Sequence, residues 1–446
     1  MKIIIAGAGD IGFHLAQLLA SENQDITLID TNADVLQQAA THLDVMTLKG
    51  DSSSIRILEN AGVSKAKLVI AATTSEKNNI LTAMLAKRLG AKKAIARVQS
   101  GEYLSTENRA AFTELGIDSL ISPNELAAFE INRLLDECTF TDIFEFEEGK
   151  IKLVGVTLND QSTIINMPIE QLEVLNQEES MMPIAVLRGY KTIIPRGDTI
   201  MRRGDHVYFI VEQHKMDRLE QIIDAPQIKV NHVMIIGGTH LGLTAAKRLE
   251  QDYNVTLIEK SKKRCRELAE ELDSTLIIHG DNSNIELLES EGLNEMDAFL
   301  ALTNNSETNI IASLTAKNHG VHKTIAQVEN KEYIHLSQNI GIDTLINRKL
   351  IAANNIFRFV RKGRIEAITS LHGVDAEVIE YVIHKTNHLT KHPLRKLHLP
   401  ETSLIGGVIR GEKSIIPSGD FQLEKGDKVI VFALPEAITK LDKLFR

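Results

Sequence analysis

Three glycines, an aspartate and an arginine near the start of this chain are the residues whose types and spacing point to chemistry with phosphate and ribose. Gly7-Ala8-Gly9-Asp10-Ile11-Gly12 follows directly on the apolar run Ile3-Ile4-Ile5-Ala6. In that setting Gly7 permits a tight strand-to-helix turn. Gly9 lets a pyrophosphate approach the backbone with no Cβ in the way, and Gly12 lets the helix pack close to the strand. The first-turn N–H groups of that helix then face the phosphates. Asp30 closes the next apolar run, Ile26 to Ile29. A carboxylate at that strand end accepts both ribose hydroxyls of an adenosine and repels a 2′-phosphate, so NAD is favoured over NADP. Glycine-rich turns also make plain connections. Here strand, glycines, helix, second strand and acidic residue all fall in the order a nucleotide site requires.

The elements that must hold these residues can be read from the same pattern. An apolar run without polar alternation, such as Ile3 to Ala6, is a strand buried on both faces. Asp51 follows Gly50 at a strand-to-helix turn, and Thr73-Thr74 follow the apolar strand ending at Ala71-Ala72. Both lie where a doubly wound sheet presents its carboxyl ends, which is where nucleotides bind. Arg97 ends a further strand, and two readings stand for it: bidentate pairing with phosphate oxygens, or a surface cation.

The chain then repeats itself. Leu48-Lys49-Gly50-Asp51-Ser52 returns as Ile278-His279-Gly280-Asp281-Asn282, and Ala71 to Thr74 with Asn79 returns as Ala301 to Asn304 with Asn309, both at an offset of 230 residues. Ile95-Ala96-Arg97-Val98 matches Ile325-Ala326-Gln327-Val328. The first turn returns as Gly237-Gly238-Thr239-His240-Leu241-Gly242, and the acidic strand end returns as Glu259. Constant register over so long a stretch means two copies of one nucleotide-binding fold. The second copy carries Thr239 at the central glycine position and Gln327 at the arginine position. It is expected to bind more weakly, differently or not at all, because a β-branched side chain hinders the approach of a pyrophosphate. For Lys260, Lys262, Lys263 and Arg264 after Glu259 two readings stand, cations that meet extra phosphate charge and, favoured, a solvated helix start.

The segments after each copy repeat as well. Arg188-Gly189-Tyr190-Lys191 to Pro195 is echoed by Arg410-Gly411-Glu412-Lys413 to Pro417, each followed by a Gly-Asp pair, Gly204-Asp205 or Gly426-Asp427, and a short apolar strand. This is turn chemistry for a small β-rich module. Ser122-Pro123-Asn124-Glu125 combines an N-cap, a proline at the first helical position and a glutamate at the third, so a connector helix starts there. Asn347 caps its counterpart, which ends in the basic run Arg358, Arg361, Lys362, Arg364, read as a solvated face. Ala225-Pro226 interrupts the helical stretch Met216 to Ile223. The expected fold class is α/β, with two Rossmann-like doubly wound domains alternating with two small α+β domains. The expected bounds are 1–122, a connector helix 123–140, 141–224, 230–346, a second connector 347–364, and 365–446.

Bulk properties exclude several function classes. The chain has 446 residues, a net charge of −10 and no tryptophan, unlike a nucleic-acid binder with a basic face and stacking aromatics. Cys138 and Cys265 lie far apart, which suits buried thiols in a reducing compartment. No apolar run has the length of a membrane span, so a cytosolic or peripheral protein is expected. His384, His388, His392 and His398 sit around Pro393, which argues against one continuous helix and against a metal site. An NAD-dependent oxidoreductase is the alternative function. It would need an acid–base residue near the nicotinamide, and the small modules share none.

The order of these motifs resembles the peripheral subunits of Trk potassium-uptake systems, the TrkA family, built from tandem RCK (regulator of K⁺ conductance) domains. The resemblance spans essentially the whole chain. Its most specific elements are the Gly7–Gly12 turn with Asp30, Gly50-Asp51, Thr73 to Asn79, Ile95 to Val98 and the hairpins at Pro195 and Pro417. It implies NAD(H), or ATP or ADP at the same site, held by Gly7, Gly9, Gly12, Asp30, Asp51, Thr73 and Arg97. It also implies a cytosolic homo-oligomer, commonly a tetramer, beneath a TrkH/TrkG-like membrane potassium transporter, and no nucleic acid or catalysis. Where the family usually has an Asp-Glu pair before the asparagine, this chain has Glu76-Lys77 and Ser306-Glu307.

Overall fold

The computed structural model describes residues 1–445 except 21–23, 148, 161, 176–180, 190, 225–228, 331–332, 334–340, 362–364 and 371–375, and only the backbone of 173–175 and 358–370. Tyr190, Ala225-Pro226, Lys362 and Arg364 of the sequence reading lie outside the described residues, as do the side chains of Arg358 and Arg361. The chain forms two compact units. One gathers Met1–Glu130 with Thr239–Arg248 and Ile346–Val360, and the other gathers Ile131–Gly238, Leu249–Leu345 and Arg361–Arg446.

The first unit contains a six-stranded parallel sheet made of β1 (Lys2–Ala6), β2 (Asp25–Asp30), β3 (Met46–Lys49), β4 (Leu68–Ala71), β5 (Ala94–Arg97) and β6 (Ser119–Ile121), in the order β3-β2-β1-β4-β5-β6. Ile3, Ile4, Ile5 and Ala6 are fully buried. That explains the unbroken apolar run: a central parallel strand is covered on both faces, and each buried isoleucine contributes about 1.5–3 kcal/mol. Strand order reverses between β1 and β4, with Ala6 paired to Ile29 on one side and Ala71 on the other. Crevices form at such reversals, and Gly7, Asp30, Thr73 and Arg97 all stand at this carboxyl edge.

The second sheet repeats the topology as β12 (His232–Ile236), β13 (Asn254–Glu259), β14 (Leu276–His279), β15 (Ala298–Ala301), β16 (Lys323–Gln327) and β17 (Thr344–Ile346), in the order β14-β13-β12-β15-β16-β17. Each small module is a five-stranded antiparallel sheet. The first comprises β7 (Asp142–Phe146), β8 (Ile151–Thr157), β9 (Met181–Arg188), β10 (Lys191–Ile193) and β11 (His206–Glu212), ordered β10-β9-β11-β8-β7. The second comprises β18 (Ile365–Ser370), β19 (Glu377–Val382), β20 (Ser403–Arg410), β21 (Lys413–Ile415) and β22 (Lys428–Ala433), ordered β18-β19-β22-β20-β21. Read from the opposite edge, the two orders are the same.

Within the second unit the two small sheets share one apolar core, which includes Leu153, Ile184 and Ile210 from one and Ile409, Ile430 and Phe432 from the other. The Gly-Asp pairs do more than turn the chain. Asp205, almost fully buried, accepts both Nε (2.8 Å) and Nη2 (2.7 Å) of Arg188, and Asp427 accepts both from Arg410 at 2.8 and 2.9 Å. Bidentate pairs of this kind fix a hairpin's geometry as well as its charge.

The connector helices form as their caps require. Ser122 Oγ accepts the Glu125 N–H at 3.3 Å ahead of the helix Pro123–Asp136, and Asn347 Oδ1 accepts the N–H groups of Lys349 and Leu350 at 3.1 Å ahead of the helix Arg348–Arg361. The thiols are only partly buried, a correction to the sequence reading. Burial raises the Cys138 pKa, and burial with the Glu259 charge raises that of Cys265, so neither is an activated thiolate. The helix His388–Lys391 is a single turn ending before Pro393. No helix among the described residues is long and apolar enough to cross a membrane.

Candidate nucleotide site

The turn after β1 is held by contacts only glycine allows, at two of its three glycines. Gly7 has φ +101°, and a Cβ there would stand 2.8 Å from the Thr73 N and 2.9 Å from the Ala72 carbonyl. At Gly12 a Cβ would meet the Gly7 oxygen at 1.8 Å. At Gly9 a Cβ would meet nothing within 4 Å. The helix Asp10–Ala20 begins directly after it, and Gly9 has no side chain with which to satisfy a first-turn N–H.

Asp30 is fixed from both sides. Its Oδ2 accepts the Ala8 N–H at 2.7 Å and its Oδ1 the Asn32 N–H at 2.8 Å. The carboxylate is thereby oriented, and each oxygen keeps acceptor capacity for hydroxyls. Asp51 Oδ1 accepts both the N–H (2.9 Å) and the Oγ (2.8 Å) of Ser53. That bond closes the β3-to-helix turn and leaves Oδ2 at the rim.

At the ends of β4 and β5 the organising residue is Asn79, fully buried. Its Oδ1 accepts the N–H (2.8 Å) and hydroxyl (2.6 Å) of Thr73, and its Nδ2 donates to the Thr73 carbonyl (3.0 Å) and the Arg97 carbonyl (2.9 Å). One amide side chain therefore sets the spacing of Thr73 and Arg97. Glu76 Oε2 accepts the N–H groups of Gln99 and Ser100, and the Thr74 carbonyl accepts Gln99 Nε2 at 3.1 Å. Glu76 of the altered acidic pair thus holds the loop after β5.

These residues surround one cleft of about 580 Å³. Gly7, Gly9, Asp10, Ile11, Asp30, Asp51, Thr73, Thr74 and Arg97 line it. Ala8 and Gly12 act from behind, as a donor to Asp30 and as a packing contact. Glu259, the remaining expected residue, belongs to the second sheet. Sequence reasoning missed Asn79 as a site organiser, although its return as Asn309 at constant offset was the available signal. It also missed Val35, Gln99, His240, Arg348 and Lys349, which line the cleft too. The last three come from the second half of the chain and carry no local signal of belonging to this turn.

In the second copy Glu259 is nearly buried and bridges the same two loops, accepting the Gly238 and Ser261 N–H groups at 2.7 Å. Arg264 donates its Nε to the Gly238 carbonyl at 2.7 Å. Thr239 Oγ1 accepts the Gly242 N–H at 3.1 Å, capping the helix His240–Leu249.

Two doubly wound sheets, each followed by a small antiparallel sheet, with a glycine-turn cleft on the first, define a tandem protein of the TrkA-N/TrkA-C class. The TrkA-N domain model matches residues 3–123 and 233–348, and the TrkA-C domain model matches 153–224 and 378–446. The chain is 33% identical over 449 residues to the Trk system potassium uptake protein TrkA homolog of Archaeoglobus fulgidus, with all of both chains covered. It is 33% identical over 451 residues to the Trk system potassium uptake protein TrkA of Halomonas elongata, covering all of this chain and 99% of that one. The chain belongs to this family of potassium uptake proteins, and the oxidoreductase alternative falls with that membership. In fold it is similar to the GsuK channel, solved bound to NAD (TM-score 0.61, 16% identity, 99% of this chain and 78% of that one) and bound to ADP (TM-score 0.50, 15% identity, 81% and 69%).

Proposed function

We propose that this chain is the NAD(H)- or adenine-nucleotide-binding regulatory subunit of a TrkH/TrkG-like membrane potassium transporter. In this reading it is peripheral to the cytoplasmic face of the membrane, assembles as a homotetramer and gates the transporter. The observation that carries the nucleotide reading is the contrast among the three glycines. A side chain is excluded at Gly7 and Gly12 by the chain's own atoms, and at Gly9 by nothing the chain supplies. A ligand lying against the turn accounts for that glycine.

The residues present fit such a ligand. The first-turn N–H groups after Gly9 would take the pyrophosphate, and Asp30, already oriented by Ala8 and Asn32, would accept ribose hydroxyls. Asp51, Thr73, Thr74 and Arg97 would border the remaining phosphate and ribose groups. The solved NAD and ADP forms of GsuK support both ligand choices. When bound, the nucleotide supplies charge and contact area rather than hydride transfer. It shifts the protein between conformations only through unequal affinity for them, so NADH and ATP carry different messages to the transporter.

Native mass spectrometry of gently purified full-length protein reads retained nucleotide and subunit number together. Retained NAD(H), ATP or ADP on a tetramer is expected. A chain that retains none, and that calorimetry finds unable to bind any of them, would sink the reading. In cells lacking the chain, potassium uptake should fall, and the wild type should restore it where Gly9→Val does not.

A further inference from the structure

The first cleft gathers helix starts from both halves of the chain and two cations from the second. The first residues of four helices line it: Asp10–Ala20, Pro123–Asp136, His240–Leu249 and Arg348–Arg361. Each start carries the positive end of the helix dipole, although Ser122, Thr239 and Asn347 already cap the starts of the last three. The last of them adds Arg348 and Lys349 to the Arg97 already there. Arg348 Nη1 donates to Asn124 Oδ1 at 3.0 Å, and Lys349 Nζ pairs with Asp10 Oδ2 at 2.5 Å. Asp10 is 71% exposed and Lys349 29% exposed. A pair that open to solvent is weakly held, and a phosphate carries more charge than a single carboxylate.

We propose that Arg348 and Lys349 form a polyphosphate-selecting subsite of this cleft, in which the terminal phosphate of ADP or ATP replaces Asp10 as the partner of Lys349. The inference rests on the nucleotide reading above. A free adenosine polyphosphate ends in a doubly charged phosphate, whereas the pyrophosphate of NAD is capped on both sides by ribose. Cations lining the cleft therefore reward the former more. The exchange also gives nucleotide identity a mechanical outlet. Lys349 sits in the first turn of the connector helix Arg348–Arg361, so its change of partner loads that helix when a polyphosphate binds and leaves it tied to Asp10 when NAD(H) binds.

The test is calorimetric titration of the full-length chain with ATP, ADP and NADH. Lys349→Ala should weaken ATP by about ten-fold or more, the loss expected for a charged hydrogen bond, while NADH changes by less than about three-fold. Asp10→Asn, which removes the competing carboxylate without emptying the helix start, should strengthen ATP relative to NADH. That variant keeps the proposal falsifiable if Lys349→Ala does not fold. An ATP-to-NADH affinity ratio unmoved in both variants would overturn the subsite while leaving the nucleotide site intact. Failure of the wild type to bind either nucleotide would overturn the nucleotide reading itself.

Discussion

The two copies of the nucleotide fold share strand order, acidic strand end and buried asparagine, and they part company at three positions that bear on binding. Where the first copy has Gly9 the second has Thr239, whose hydroxyl already satisfies a first-turn N–H of the helix that follows. Val35, which lines the first cleft, is matched by Arg264, whose guanidinium lies on the Gly238 carbonyl. Arg97 is matched by Gln327, which is buried. The cap takes an N–H that a phosphate would otherwise use, and the guanidinium lies against the turn where the first copy has only a valine. The scaffold is retained in both copies, but only the second turn carries a side-chain cap of its own, and an uncapped helix start is what a ligand binds.

The largest effect that would sharpen this comparison lies within the first turn. Gly12→Ala drives a Cβ into the Gly7 carbonyl and should cost about 3 kcal/mol or more of stability, at the upper end for overpacking. Gly9→Ala should fold with an unchanged melting temperature and lose nucleotide. Melting both variants with and without NADH checks the pair, and equal destabilisation would break the distinction between packing glycine and ligand glycine. Next comes the acidic strand end. Asp30→Ala should weaken NADH by about 1.5–3 kcal/mol, the worth of hydrogen bonds to a charged group, whereas Glu259→Ala should leave NADH affinity unchanged. Equal losses in a titration would show that the second copy binds as well.

A smaller and symmetrical effect is expected at the shared organiser. Asn79→Ala and Asn309→Ala should each destabilise the chain by about 1–3 kcal/mol, because each leaves buried backbone groups unpaired. Only the first should also lower nucleotide affinity. Unfolding and titration on both separate scaffold from site. The smallest effect is a gain: Thr239→Gly with Arg264→Val should confer weak binding of additional adenine nucleotide in equilibrium dialysis. No gain would mean that Gln327 or the surrounding packing, rather than these two side chains, closes the second copy.

Much of this was legible in the sequence, for physical reasons that differ from residue to residue. The unbroken apolar run Ile3 to Ala6 could only be a strand covered on both faces, and the repeat at constant offset fixed the alternation of sheets. Gly7, Gly12 and Asp30 were legible because turn geometry and strand-end chemistry are local. Gly9 was legible as a glycine, but only the structure separates it from its neighbours as the one not required by packing. Asn79 was visible as a repeated letter, but its four hydrogen bonds join the ends of two strands and depend on the fold. Asp205 and Asp427 read as turn residues, since nothing local shows that each is the buried partner of the arginine opening the preceding hairpin. Arg348, Lys349 and His240 were the least legible, because they reach the first cleft from more than two hundred residues away.

The central claim is that the chain carries one working nucleotide site, built on Gly9 and Asp30, on two copies of the scaffold. Calorimetric stoichiometry of NADH on the full-length protein, repeated with Gly9→Val and with Thr239→Val, tests it most directly. The account predicts one nucleotide per chain, abolished by Gly9→Val and indifferent to Thr239→Val. Two nucleotides per chain, or one that survives Gly9→Val and disappears with Thr239→Val, would contradict it.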